Sequence, residues 1–262
     1  MKIAALQMDI AWENPKQNIA AAERLTALAA EQGARLVALP EMFSTGFSMN
    51  MDSVAEPPDG PAYGFLSETA RRAGIYVLGT LAERVPGGLP QNVAYLFGPD
   101  GRRLLRYAKV HPFRFAGEHL HLGPGSELPV TRVDEFTLAV AICYDLRFPE
   151  LFRALGLRGA DLFIVPANWP RERIAHWSKL LVARAIENQA YVVGVNRVGS
   201  GGGLAYNGLT AIVDPMGDLL AEGGDCEQIV SADLSKERLD AIRKELPFLT
   251  DYRNDLFPGL VH

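Results

Sequence analysis

The run from Thr137 to Ile142, rich in Val, Leu and Ala, stops abruptly at Cys143, and a polar and then amphipathic stretch follows with Pro149 near its start. That order predicts a buried strand, a sharp turn carrying a cysteine, and then a helix. Such a turn can present a sulfur beside free backbone N–H groups, which suits both a nucleophile and the oxyanion it creates. Taken alone, a cysteine is more often a buried structural residue, because free Cys is among the most buried residue types.

Two other strand ends change that weighting. In Ala34-Arg-Leu-Val-Ala-Leu-Pro-Glu-Met-Phe43 an apolar strand is ended by Pro40, with Glu41 just beyond it. In Leu105-Arg-Tyr-Ala-Lys-Val-His-Pro-Phe113, Lys109 follows a short strand pattern and precedes a proline-containing loop. Singly, such a Glu is a solvated loop residue and such a Lys a surface one.

Strand and helix patterns alternate along the chain, which implies a layered α/β architecture. Strands are expected over 3–8, 36–39, 75–82, 93–97, 103–107, 138–142, 162–165, 191–196, 209–213, 218–221 and 227–232. Helices are expected from Asn14-Pro15 to Gly33 and over 61–73, 149–157, 171–188 and 234–245. Gly98-Pro-Asp-Gly101 is a turn signal joining two strands as a hairpin, and antiparallel hairpins fit a simple doubly wound parallel sheet poorly. Residues 108–128 show neither period and read as a functional loop, and Gly199-Ser-Gly-Gly-Gly203 reads as a flexible one, since no Lys-Ser/Thr follows it. No repeat or linker divides the chain, so residues 1–262 read as one domain with 246–262 as an irregular tail.

Composition narrows the partners. A net charge of −5 with no Lys/Arg-rich run gives no support for nucleic acid. No apolar stretch approaches the length of a membrane span, and the N-terminus runs straight into a strand pattern without a leader-cleavage region. Cys143 and Cys226 cannot form a disulfide framework. A reducing, cytoplasmic setting is expected, and it suits a reactive thiol.

Leu-Pro-Glu, Lys-x-His-Pro-Phe and Cys-Tyr-Asp-Leu-Arg-Phe-Pro-Glu, in that order, resemble the nitrilase superfamily of carbon–nitrogen hydrolases, and the resemblance runs from Lys2 to about Asp233. It implies an α/β fold, a four-layer α-β-β-α sandwich of the nitrilase type. It also implies a homodimer, in which the tail with Phe248, Tyr252, Leu256 and Phe257 crosses the partner; a tail packed on its own subunit is the alternative. The implied site has Cys143 as nucleophile and Glu41 as the base that takes the thiol proton. Lys109 and the backbone N–H of Tyr144 hold the oxyanion. Glu118, in Phe115-Ala-Gly-Glu-His-Leu-His-Leu-Gly-Pro-Gly125, matches a second glutamate that holds Lys109 and orients substrate or water. No cofactor is expected. No metal is expected either, because His111, His119, His121 and His176 lack paired-ligand spacing, and a Cys-His dyad would leave Glu41 and Lys109 unexplained. Cys226 reads as a bystander.

Within the superfamily, Pro40-Glu-Met-Phe-Ser-Thr-Gly-Phe-Ser-Met49, Val165-Pro-Ala-Asn-Trp-Pro170, Arg173-Ile-Ala-His-Trp177 and Arg184-Ala-Ile-Glu-Asn-Gln-Ala-Tyr191 are similar to the omega-amidases. The small-molecule amide implied is 2-oxoglutaramate, hydrolysed to 2-oxoglutarate and ammonia. Arg173 is the candidate anchor for the distal carboxylate, or else a solvated first-turn residue. Phe43, Phe47, Phe115 and Trp169 are candidates to wall a small flat pocket, or else core. The alternatives are another amidase of the superfamily, such as an N-carbamoyl amino-acid hydrolase or an aliphatic amidase, a true nitrilase, disfavoured by the Tyr-Asp after Cys143, and a non-enzymatic scaffold, which has no need of Glu41, Lys109, Glu118 and Cys143 together.

Overall fold

The computed structural model describes residues 1–253, 255–257 and 259. Strand β1 (Lys2–Gln7) leads to helix α1 (Pro15–Glu31), β2 (Leu36–Ala38), a short helix α2 (Met51–Val54) and α3 (Pro61–Ala73). Next come β3 (Tyr76–Glu83), β4 (Gln91–Phe97), β5 (Arg103–Ala108), β6 (Val130–Val133), β7 (Phe136–Val140) and α4 (Pro149–Leu157). The chain continues through β8 (Leu162–Pro166), α5 (Ile174–Asn188), β9 (Tyr191–Val195), β10 (Val198–Gly201) and β11 (Leu204–Asn207). It closes with β12 (Ala211–Val213), β13 (Leu219–Glu222), β14 (Gln228–Asp233) and α6 (Lys236–Glu245).

Helix α1 starts where the sequence says it must. Asn14 caps it, accepting the Gln17 N–H at 3.2 Å, and Pro15 occupies the first turn. Helix α3 stops at Gly74, whose φ of +66° is left-handed and suits a residue without a side chain.

Two six-stranded sheets form, one in the order β14-β1-β2-β3-β4-β5 and the other β13-β12-β9-β8-β7-β6. The central pairs β1–β2, β2–β3, β7–β8 and β8–β9 are parallel, whereas the outer pairs are antiparallel. Alternation along β1 shows how the layers are made. Ile3 and Ala5 face the inter-sheet core with Leu138, Ile164 and Val193, while Ala4 and Leu6 face α1 and α3 through Leu25, Ala29 and Leu66. On the other side, Phe163, Val165 and Val192 pack against Leu151, Phe152, Trp177 and Leu181 of α4 and α5. The result is the four-layer α-β-β-α sandwich.

Some expectations need correction. The 199–203 segment is a hairpin, with Val198 paired to Asn207 and Gly201 to Leu204. Strand β6 carried no clear pattern because it is a short edge strand with only Val133 buried. The 44–60 stretch contains α2, and the 108–128 stretch contains 3-10 turns at Arg114–Ala116 and Glu118–Leu120. In the tail a 3-10 turn spans Phe248–Asp251, while residues 254, 258 and 260–262 lie outside the described residues.

The topology places the chemistry. Strand β5 is antiparallel to β4, and β4 to β3, so β5 ends at the same edge as β2 and β3. Glu41 follows β2, Lys109 follows β5, Cys143 follows β7 and Asn168 follows β8. Ligands of α/β sheets gather at such carboxyl ends.

Candidate active site

Glu41 is completely buried. Its Oε1 accepts the Lys109 ammonium at 2.9 Å and the Asn92 amide at 2.8 Å. Its Oε2 accepts the Asn168 backbone N–H at 2.9 Å. Both oxygens are therefore held by donors, and the carboxylate has one orientation. The next residue, Met42, sits at φ +46° and donates its N–H to Thr80 Oγ1 at 2.5 Å. This left-handed turn sends the chain back under the sheet.

Lys109 is equally buried, and its Nζ also lies 3.0 and 2.9 Å from the two oxygens of Glu118. One ammonium thus serves two buried carboxylates. Desolvation is the largest influence on Lys109 and lowers its pKa, but the charges of Glu118 and Glu41 outweigh it, so the net shift is upward and the residue is a fixed cation. Burial raises the Glu118 pKa, Lys109 pulls it back and Glu41 pushes it up again. The Phe113 N–H, 2.5 Å from Glu118 Oε2, ties that carboxylate to its own loop.

Cys143 stands at φ +47°, the first residue of a 3-10 turn over Cys143–Arg147. Left-handed backbone is costly for a residue with a Cβ, and a buried carboxylate holds it there. Asp145 accepts the Ile142 N–H at 2.9 Å, the Tyr107 hydroxyl at 2.7 Å and the His111 N–H at 2.9 Å, with His111 Nδ1 at 2.8 Å. The His111 ring lies flat on Phe148, with centroids 3.7 Å apart. Burial raises the Cys143 thiol pKa well above the usual range, Glu41 adds to the rise, and Lys109 opposes it. Burial thus favours the protonated thiol, with the Glu41 carboxylate at hand. The Tyr144 N–H lies in the first turn after the strand, where helix-type N–H groups lack partners within the turn.

Cys143 and Lys109 open onto a pocket of about 320 Å³, with Asn168, which holds Glu41, beside them. Cys143, Lys109, Tyr144, Phe47, Trp169 and Arg173 line it, as the sequence predicts. Phe47 places its ring 5.1 Å from Lys109 Nζ. Trp169 donates its indole N–H to the Arg173 carbonyl at 2.9 Å, and Asn196 Oδ1 accepts the Trp169 backbone N–H at 2.8 Å.

Phe43 and Phe115 are not pocket walls. After the turn at Met42, Phe43 enters the core beneath α1 and α3 and packs on Phe65 with ring centroids 5.8 Å apart. Phe115 is 86% exposed. Residues three apart eclipse in a 3-10 turn, so Phe113 and Ala116 face the pocket and Phe115 does not.

The pocket also contains residues the sequence did not single out. Asn168 fastens Glu41. Arg147, on the same turn as Cys143, stacks over Trp169 at 4.7 Å and reaches His176 Nδ1 at 3.3 Å. Trp12 and Tyr206 complete the lining. Asn168 and Arg147 lie inside strand-end motifs and were findable on that ground. Trp12 and Tyr206 lie in segments without a chemical signature.

The profile of the carbon–nitrogen hydrolase family matches residues 2–244. The chain belongs to this family. It is 36% identical to a 2-oxoglutaramate amidase of Bacillus subtilis over 97% of this chain and 98% of that protein. It is 39% identical to an omega-amidase of Yersinia enterocolitica over 96% of both. A carbon–nitrogen hydrolase superfamily protein of Xanthomonas campestris, with an arsenic adduct in its active site, superposes with a TM-score of 0.92 at 34% identity over 97% of both chains. A glutamate-to-glutamine variant of an amidase from Nesterenkonia sp. AN1, whose active-site cysteine carries the acetamide moiety of fluoroacetamide, superposes with a TM-score of 0.87 at 30% identity, covering 99% of this chain and 96% of that one. As a carbon–nitrogen hydrolase the chain is an amide-hydrolysing enzyme of the cysteine type. Among the described residues, no helix is long and apolar enough to cross a membrane.

Proposed function

We propose that this carbon–nitrogen hydrolase is an omega-amidase, converting 2-oxoglutaramate to 2-oxoglutarate and ammonia. The observation that carries the substrate class is the charge of the pocket lining. Among the described residues, Arg147 and Arg173 both line it with no carboxylate within 4.0 Å of either, and the carboxylates nearby, Glu41 and Glu118, are both paired with Lys109. An anionic end is matched there, and an α-ammonium finds no counter-charge. The small volume agrees with a five-carbon acid. The Bacillus and Yersinia relatives, by their names, support the same reading.

In the mechanism, the Cys143 sulfur attacks the amide carbon as Glu41 takes the thiol proton. Lys109 and the Tyr144 N–H stabilise the oxyanion. Glu41 passes the proton to the leaving nitrogen, ammonia departs and a thioester remains. Glu41 then draws a proton from water as its oxygen attacks the thioester, and the proton returns to Cys143 as the acid leaves. Glu118 keeps Lys109 in place through both halves.

Ammonia release from 2-oxoglutaramate, glutamine, N-carbamoyl amino acids and short aliphatic amides tests this. Turnover of 2-oxoglutaramate far above glutamine is expected. Preference for an N-carbamoyl amino acid would replace the substrate assignment and leave the mechanism standing. The proposal extends to a cytoplasmic homodimer. A reactive thiol suits a reducing compartment, and Phe248, Leu256 and Phe257 stand 61, 61 and 54% exposed, apolar surface that a second copy would cover. Sedimentation at micromolar concentration would read the oligomer directly.

A further inference from the structure

The pocket has a wall that the chemistry does not use. Trp12 borders the cavity with an indole 37% exposed. Glycines from two separate segments lie against it. A Cβ on Gly201 would lie 2.7 Å from the Trp12 ring, one on Gly202 2.7 Å and one on Gly46 3.2 Å. The ring is therefore seated in a slot of bare backbone, which cannot retreat as a flexible side chain would.

The slot is held from both sides. Ala11 donates its N–H to Asn18 Oδ1 at 2.8 Å, and Asn18 Nδ2 returns a bond to the Ala11 carbonyl at 2.7 Å and another to the Ser44 carbonyl at 2.8 Å. Glu13, at φ +52°, donates its N–H to the Thr45 carbonyl at 2.8 Å. Behind the hairpin β10–β11, the buried Arg197 guanidinium joins the Ile10 carbonyl at 2.7 Å to the Ser200 carbonyl at 3.1 Å. It also lies 4.5 Å from the Tyr206 ring. Arg197 thus fixes the distance between the segment carrying Trp12 and the hairpin carrying Gly201 and Gly202.

We propose that Trp12 is a specificity-determining residue that sets the length of amide the pocket accepts, as a rigid end wall. This rests on the omega-amidase reading for the substrate series, but not for the geometry. A substrate one methylene too long must displace an indole backed by peptide units, whereas a shorter one leaves empty space beside it.

The test is kcat/KM for the four-, five- and six-carbon 2-oxo acid ω-amides, together with neutral linear amides of rising length. Trp12→Ala should raise the six-to-five-carbon ratio by about tenfold or more, the usual discrimination for one methylene in an apolar pocket. Trp12→Phe should fall between. Gly201→Ala, whose methyl would meet the ring at 2.7 Å and itself border the pocket, should shift the length optimum. A length profile unchanged in folded Trp12→Ala overturns the proposal. If that variant does not fold, unchanged profiles in Trp12→Phe and Gly201→Ala overturn it instead. Wild-type protein that hydrolyses no 2-oxo acid amide removes the substrate assignment, and the neutral series then reads the length limit by itself.

Discussion

Asn168 grips Glu41 twice, by its backbone N–H to Oε2 at 2.9 Å and by its side-chain Nδ2 to the Glu41 carbonyl at 2.6 Å. The two residues come from different sheets, so this pair fastens one sheet to the other at the proposed base. Asn168→Ala should keep the backbone bond to the carboxylate and lose the side-chain bond that anchors the Glu41 main chain. A fall in kcat of about 2–10-fold is expected, as a neutral hydrogen bond worth roughly 0.5–1.5 kcal/mol is lost. Steady-state kinetics with a matched melting curve checks it; unchanged kcat would show that Glu41 needs no such support.

Lys109→Met should leave Glu41 and Glu118 buried without their cation. Stability should drop by about 3–5 kcal/mol, and kcat by at least about 100-fold through loss of the oxyanion donor. Glu118→Gln retains an acceptor for Lys109 and for the Phe113 N–H. It should fold, bind substrate and turn over slowly. Denaturant titration beside kinetics separates the two effects, and near-native kcat in Lys109→Met would refute the oxyanion role.

Cys143→Ala and Cys143→Gly should both be inactive but unequal in stability. At φ +47° the glycine variant should be the more stable by about 0.5–1 kcal/mol, because the left-handed penalty outweighs the greater freedom of its unfolded chain. Equal melting temperatures would mean the elbow is not strained.

The thiol pKa of Cys143 lies above its ordinary 9.0 and that of Lys109 above its ordinary 10.5. Between the ordinary and the raised value, the unfolded chain has lost a proton that the folded chain keeps. Each group's contribution is full below its ordinary value and is lost as pH rises through the raised one, so stability should fall above pH 9. Alkylation of Cys143 should titrate in the same alkaline range. Glu41→Gln removes a charge that raises the thiol pKa, and should shift alkylation to lower pH while abolishing amide turnover. An unshifted alkylation profile in that variant would place Glu41 away from the sulfur.

Arg173→Ala and Arg147→Ala should each raise KM for 2-oxoglutaramate, by an amount matching roughly 1.5–3 kcal/mol. A short neutral amide should feel either change far less. Equal losses on both substrates would move the anion site elsewhere.

Much of this site was legible because strand ends are legible. An apolar run that stops at Glu41, Lys109 or Cys143 announces both a sheet edge and the residue presented there. Side-chain direction beyond the strand end was not. Phe43 and Phe115 looked like pocket walls, but a left-handed Met42 and one 3-10 turn decide where such rings point, and neither leaves a pattern in composition. Strand β6 and the β10–β11 hairpin were hidden for a related reason. Each is a short strand paired with the next strand in sequence, too short for a period to show, and glycine at 199 and 201–203 signals permissiveness without naming a shape.

Strand β14 pairs with β1, Lys2 against Asp233 and Gln7 against Gln228. The sheet that holds Glu41 and Lys109 therefore keeps β1 as an open edge until β14 has been made. The cysteine belongs to the other sheet, synthesised in between. Glu41 and Cys143 therefore meet only where the two sheets pack face to face. Loss of β14 should therefore loosen the site from a distance, and recovery of activity on refolding would report that this edge has closed.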